Sequence, residues 1–170
     1  PDRLVAKAEN VGIRLRRHVE SGRIRMAWQP PVEMLPDVIA EQLLGTAGAD
    51  RPRRLFLDGL DDVRMSFIHP GRVIPYMAAL TDIFRARGTG VVMAQEIRRI
   101  FAGEFSLPVE EISAVVDNVL ILRYVELRSR LRRMVSVLKM REQEYDTAIR
   151  EFTISGRGVE VGRMFEEFEA

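Results

Sequence analysis

Residues 123–162, RYVELRSRLRRMVSVLKMREQEYDTAIREFTISGRGVEVG, decide the fold of this chain. Here the pattern turns to alternation, the period of a β-strand, whose successive side chains point to opposite faces. Residues 131–140, 148–155 and 159–161 are therefore predicted as three antiparallel strands, with Gly156-Arg157-Gly158 as a tight turn between the last two. The sharpest chemical feature lies at the end of the first. On a regular strand Lys139 and Arg141 share a face with Val135 and Val137, while Leu138 and Met140 point the other way, so two cations emerge side by side. Arg128, Arg130, Arg132 and Arg133 crowd into the same hairpin, but alternation sends Arg132 and Arg133 to opposite faces, and no aromatic residues are interleaved for base stacking. A solvated or intersubunit face is expected there in preference to nucleic-acid binding.

Ahead of this stretch, helices and strands take turns. A helix is predicted over residues 3–10 with Asp2 as its cap, then a short Arg-rich helix between Gly12 and Gly22. A short strand follows over 23–28, broken by Gln29-Pro30-Pro31. Leu35, Val38, Ile39 and Leu43 recur at helical spacing, with Pro36 near the start and Gly45 just past the end. Residues 53–58 read as a strand whose run Leu55-Phe56-Leu57 suits a parallel sheet buried on both faces. Residues 70–87 put Val73, Ile74, Met77, Leu80, Thr81 and Phe84 on one helical stripe, closed by Arg85, Arg87 and Gly88. A strand over 90–95, a short helix near 110–116 and a strand over 119–124 complete the series. The fold class is α/β: parallel βα units over residues 1–124, a β-meander over 125–162 and an acidic tail over 163–170, in one domain.

Composition sets the outer limits. In 170 residues, 46% of them hydrophobic, there is material for one real core and no room for two. The 26 basic and 25 acidic side chains nearly cancel, which removes any case from net charge for nucleic-acid or membrane binding. With no cysteine there is no disulfide and no thiolate metal site, compatible with a reducing cytoplasm. The longest apolar runs, such as residues 119–122, fall far short of the roughly 20 residues that a spanning helix needs, and no signal peptide opens the chain. His18 and His69 are far apart in sequence and lack the carboxylate spacing of a metal triad. Because the chain opens directly on a helix, its natural N-terminus is expected elsewhere.

Several groups of residues together resemble the KaiC-type ATPase domains of the RecA superfamily. They are the 123–162 stretch, Trp28-Gln29-Pro30-Pro31 ahead of an apolar helix, Leu57-Asp58-Gly59-Leu60-Asp61, and Ile112-Ser113-Ala114-Val115-Val116-Asp117-Asn118 with the strand behind it. The likeness runs from about residue 1 to residue 162. It implies a RecA-like P-loop NTPase core, but the family grips nucleotide with G-x-x-x-x-G-K-[ST], and no Gly-Lys dipeptide occurs in this chain. The Walker A strand and helix are thus expected to be absent. The resemblance implies that Asp58 is the Walker B aspartate, holding Mg²⁺ through its water shell. It implies that Lys139 and Arg141 form a trans finger reaching the nucleotide of the neighbouring subunit, where positive charge stabilises the phosphates. Gln95, Glu96 and Tyr145 fall at nucleotide-binding or sensing positions. Ser113 takes the place of one member of a Ser-Thr phosphoacceptor pair, with Ala114 beside it; read by itself it caps or lines a short helix.

The chain departs from the family at several of these places. Glu142 stands where the family has glycine directly behind the arginine, and Tyr145 where it has histidine; Gln95 and Glu96 replace threonine and glutamate. Glu142 is expected either to pair with Arg141 or to repel a phosphate. The paired glutamates that activate the attacking water in this family would lie ahead of Pro1. The parent protein implied by the resemblance binds and hydrolyses Mg-ATP at the subunit interfaces of a cytoplasmic homo-oligomer, a hexameric ring, with autokinase activity and regulatory protein partners as further expectations. A different class supplies the alternative: a non-catalytic oligomerisation or regulatory module with a RecA-like fold. The chain alone is expected to bind ATP poorly, turn none over, and self-associate through a strand flank left open at residues 53–58 or 90–95.

Overall fold

The computed structural model describes residues 1–30, 35–50, 52–96 and 115–164. The helix expected near 110–116 lies almost wholly outside these residues, as does Ser113. In chain order the elements are α1 (Asp2–Asn10), α2 (Leu15–Glu20), α3 (Pro36–Asp50), β1 (Arg54–Asp58), α4 (Leu60–Met65), a 3₁₀ turn at Pro70–Arg72, α5 (Val73–Ala86), β2 (Gly90–Ala94), β3 (Asn118–Leu127), β4 (Arg130–Met140), β5 (Arg150–Ser155) and β6 (Gly158–Met164). They divide between two compact units, one continuous over Gln29–Val116, the other made of Pro1–Trp28 and Asp117–Ala170.

In the continuous unit β1 and β2 pair in parallel, with Leu55 opposite Val91, Leu57 opposite Met93 and Asp58 opposite Ala94. The apolar stripe of α5 covers one face of this pair. Val73, Met77, Leu80, Thr81 and Phe84 are buried, and around them pack Ile39 and Leu43 of α3, Leu60 and Val63 of α4, and Leu55, Leu57, Val91 and Met93 of the strands. Phe84 is fully buried. The Thr81 hydroxyl donates to the Met77 carbonyl at 2.8 Å, which satisfies it inside the core. Gly88, at φ +75°, ends the helix in the left-handed conformation that glycine adopts without strain. The expectation of a sheet buried on both faces fails: Phe56 is 69% and Val92 48% exposed, so the described layers cover only the face carrying Leu55 and Leu57.

The second unit is built on a four-stranded antiparallel sheet in the order β3-β4-β5-β6. β3 and β4 form a long hairpin, Leu127 opposite Arg130, turned by Arg128 and Ser129, both at positive φ. β5 and β6 join at Gly156-Arg157, with Ser155 opposite Gly158. Met134 and Ile121 are the buried strand residues, and Val5 of α1 is buried as well. Gly12, at φ +76° between α1 and α2, comes so close to the β5–β6 turn that an added Cβ would collide with the Gly156 carbonyl.

Three local expectations are corrected. Residues 23–28 are not a strand; extended backbone becomes a strand only through a hydrogen-bonded neighbour, and no described strand pairs with it. Asp2 is the first residue of α1, with Pro1 in the cap position and no side-chain cap bond. Gly45 does not end α3, which runs on to Asp50; a glycine inside a helix costs about 1 kcal/mol, too little to stop one packed along its length.

Candidate functional site

The first group of candidate residues lies at the carboxyl ends of the parallel strands. Asp58 closes β1, and Gly59 at φ +87° turns the chain at once into α4, a conformation suited to glycine. Burial of Leu60 and Val63 orients α4 against the core and sets Asp61 in its first turn. There the Gln95 Nε2 donates to Asp61 Oδ1 at 3.1 Å. Burial alternates through β2 and on to half-buried Gln95 and exposed Glu96, so Gln95 continues the helix-covered face. Asp58 is exposed and belongs with Phe56 and Val92 on the open face. The structure therefore brings Gln95 together with Asp61, which the sequence did not single out, and sets Asp58 on the other side of the sheet rim. Among the described residues no three His, Cys, Asp or Glu side chains group to hold a metal ion.

The second group lies at the end of β4. Val119 pairs with Lys139 but Leu120 pairs with Val137, so Leu138 is one residue too many: a β-bulge. Paired residues share a face, and Val119 and Leu120 point to opposite faces, so Lys139 cannot share the face of Val137. The expected grouping of Lys139 and Arg141 with Val135 and Val137 is overturned. The two cations still share a face with each other, but it is the face of Ile121 and Met134.

Arg141 is held twice by one residue. Its backbone N–H donates to the Asp117 carbonyl at 3.0 Å, and its Nη1 lies 3.0 Å from Asp117 Oδ1. Glu142, for which pairing with Arg141 was one of two expectations, occupies the left-handed region at φ +61°. The Tyr145 hydroxyl donates to the carbonyl of the bulged Leu138 at 2.8 Å. Just beyond, Asp146 accepts from the Ala148 N–H and from Arg150; the Arg150 guanidinium holds its carboxyl below the usual carboxylate range. Asp117, Asp61 and the bulge escaped the sequence because contacts remote in the chain decide all three and no local period reports them.

The hairpin arginines find partners inside the sheet. Arg132 donates to Glu151 Oε1 at 2.9 Å, and on the opposite face the Arg133 guanidinium stands 5.7 Å from the centre of the Tyr124 ring. Their separation to two faces is as alternation predicts.

A parallel βα layer followed by an antiparallel meander, with candidate groups at the carboxyl ends of the parallel strands, is the arrangement of a RecA-like nucleotide-binding domain. A family model described as "ATPase: KaiC" matches residues 4–165, and the chain belongs to the KaiC family. Over 173 aligned residues it is 26% identical to the circadian clock protein KaiC3 of a Synechocystis strain, covering 96% of this chain and 32% of that protein. The circadian clock oscillator protein KaiC of Synechococcus elongatus is 36% identical over 88 residues, covering 48% of this chain and 17% of its own length. That of Parasynechococcus marenigrum is 41% identical over 69 residues, covering 41% and 14%. The chain thus spans about a third or less of these relatives. Among the described residues no helix is long and apolar enough to cross a membrane.

Proposed function

We propose that the full-length protein, meaning the product of the reading frame that carries Pro1–Ala170, binds Mg-ATP between the subunits of a cytoplasmic ring and hydrolyses it for regulatory signalling. The observation that supports this most is the position of Asp58 within a KaiC-family domain. It is the last residue of a parallel strand, its carboxylate exposed where open α/β sheets bind their ligands. Magnesium keeps most of its waters and binds through one or two carboxylates together with phosphate oxygens. An exposed aspartate fits that demand. Asp58 would hold the ion through its water shell, and the ion would supply neutralisation of phosphate charge.

Lys139 and Arg141 act in the neighbour's site, where two cations on one face stabilise charge on the transferring phosphoryl group. The Asp117 pair does not forbid this. Both side chains are close to half exposed, and such pairs are worth only about 0–1 kcal/mol, so a multiply charged phosphate competes well for the guanidinium.

Arg141→Ala is expected to lower kcat by on the order of 10³-fold, as removal of an arginine finger does, with a much smaller loss of ATP affinity. Mixing subunits tests the trans arrangement. Rings combining Arg141→Ala subunits with Asp58→Asn subunits recover activity, because some interfaces then pair an intact finger with an intact aspartate. A mixture as inactive as its parts, although mixed rings form, would falsify the proposal. One observation favours the non-catalytic alternative: Gln95 and Arg141 are each already bonded to an aspartate of their own chain. On that reading the wild-type ring turns over no ATP.

A further inference from the structure

Tyr145 stands at a sensing position by family likeness, yet its hydroxyl is engaged within its own chain. We infer that Tyr145 is a positioning residue for the cation pair: by donating to the Leu138 carbonyl it locks the β-bulge that decides which face of the meander Lys139 and Arg141 occupy. The inference rests on the reading of those two residues as the trans finger.

Strand side chains have a period of two, so one extra residue sends everything beyond it to the opposite face. The bulge at Leu138 has that effect on Lys139, Met140 and Arg141, and on nothing upstream. Without it, Lys139 would follow Val135 and Val137. With it, the cations join the face of Ile121 and Met134.

A bulge also costs the ladder a pairing, and the polar groups of the unpaired residue need other partners. For the Leu138 carbonyl that partner is the Tyr145 hydroxyl at 2.8 Å. Glu142, in the left-handed region immediately after Arg141, turns the chain and allows residue 145 to return alongside residue 138. Beyond the bulge the register is fastened again, by Met140 opposite Asn118 and by the backbone hydrogen bond and ion pair of Arg141 with Asp117. The tip of β4 is therefore held on both sides of its extra residue. Releasing either side allows a one-residue slip that turns the cations away.

Tyr145→Phe removes the hydroxyl and keeps the ring, so it tests the lock without removing a side chain from the packing. In the full-length protein we expect kcat for ATP hydrolysis to fall about tenfold while KM for ATP stays within twofold. Combined with Lys139→Ala and Arg141→Ala together, it should cause little further loss. Independently of activity, amide hydrogen exchange over residues 137–141 should become faster. Deleting Leu138 should remove the bulge yet leave Lys139 opposite Val119, so the cations keep their face, kcat stays near the wild-type value and Tyr145→Phe no longer lowers it in that background.

Two outcomes overturn the inference. If Tyr145→Phe raises KM for ATP and spares kcat, the residue contacts nucleotide. If it changes neither kcat nor exchange while Arg141→Ala is inactive, the finger stands and the lock does not. If Arg141→Ala and Lys139→Ala both hydrolyse ATP normally, it is the finger reading that falls. Exchange at 137–141 then decides the bulge lock by itself.

Discussion

Glu142 shows what a single residue costs when its backbone is chosen for it. At φ +61° it occupies a region that only glycine enters freely, and a non-glycine residue there costs of order 1–3 kcal/mol. Part of that cost returns if glycine replaces it, because glycine loses more freedom on folding. Glu142→Gly should therefore stabilise the protein by about 0.5–1 kcal/mol, and Glu142→Val should destabilise it, as urea midpoints at constant m-value will report. Equal midpoints for all three proteins would remove the strain argument. The family likeness places glycine at this position, so the departure was visible in sequence; that it falls on a left-handed turn was not. The ionic partner of Arg141 was likewise hidden: Glu142 is its neighbour in sequence, Asp117 its neighbour across the sheet.

Elements were legible where one period governs them. The α5 stripe follows from 3.6-residue spacing, and all but one of the six residues it names are buried. β4 was legible as a strand, but its facing was not, because alternation assumes regular pairing and the bulge breaks it. Tethers between elements are also silent in sequence. The Tyr76 hydroxyl of α5 donates to the Pro36 carbonyl at the start of α3, at 2.6 Å, while its ring meets Phe67 edge-on at 5.1 Å. Burial, with the Asp37 carboxylate adding to it, raises the phenol above its ordinary value of 10.0. A raised folded value means that the unfolded chain ionises first. The stabilisation is complete below pH 10 and is lost as pH climbs through the folded value. Tyr76→Phe should cost about 1 kcal/mol at neutral pH and flatten the alkaline end of the stability profile, measured by thermal melts between pH 8 and 11. An unchanged alkaline slope would show that this hydroxyl is not the group responsible.

For the whole molecule, the family was legible and the division of the chain was not. Motifs around Asp58 and in the meander carried the likeness, whereas the pairing of Pro1–Trp28 with Asp117–Ala170 in one unit depends on contacts remote in sequence. The parallel pair β1-β2 has no other described strand beside it, and Phe56 and Val92 lie exposed on its open face. Unpaired edges beside apolar surface favour association. Light scattering on Pro1–Ala170 should show a mass that grows with concentration, and a monomer throughout would count against it. The two units also differ in how they can be made. Gln29–Val116 is a single run and can condense as soon as its last residue leaves the ribosome. Helices α1 and α2 cannot. Their partner is the turn at Gly156, and Gly12 fits there only because it has no side chain. Synthesised well before that turn, they must wait for it, which makes the corner at Gly12 a late event in the folding of this unit and a point where an interrupted or hurried synthesis leaves α1 and α2 without the surface they pack on.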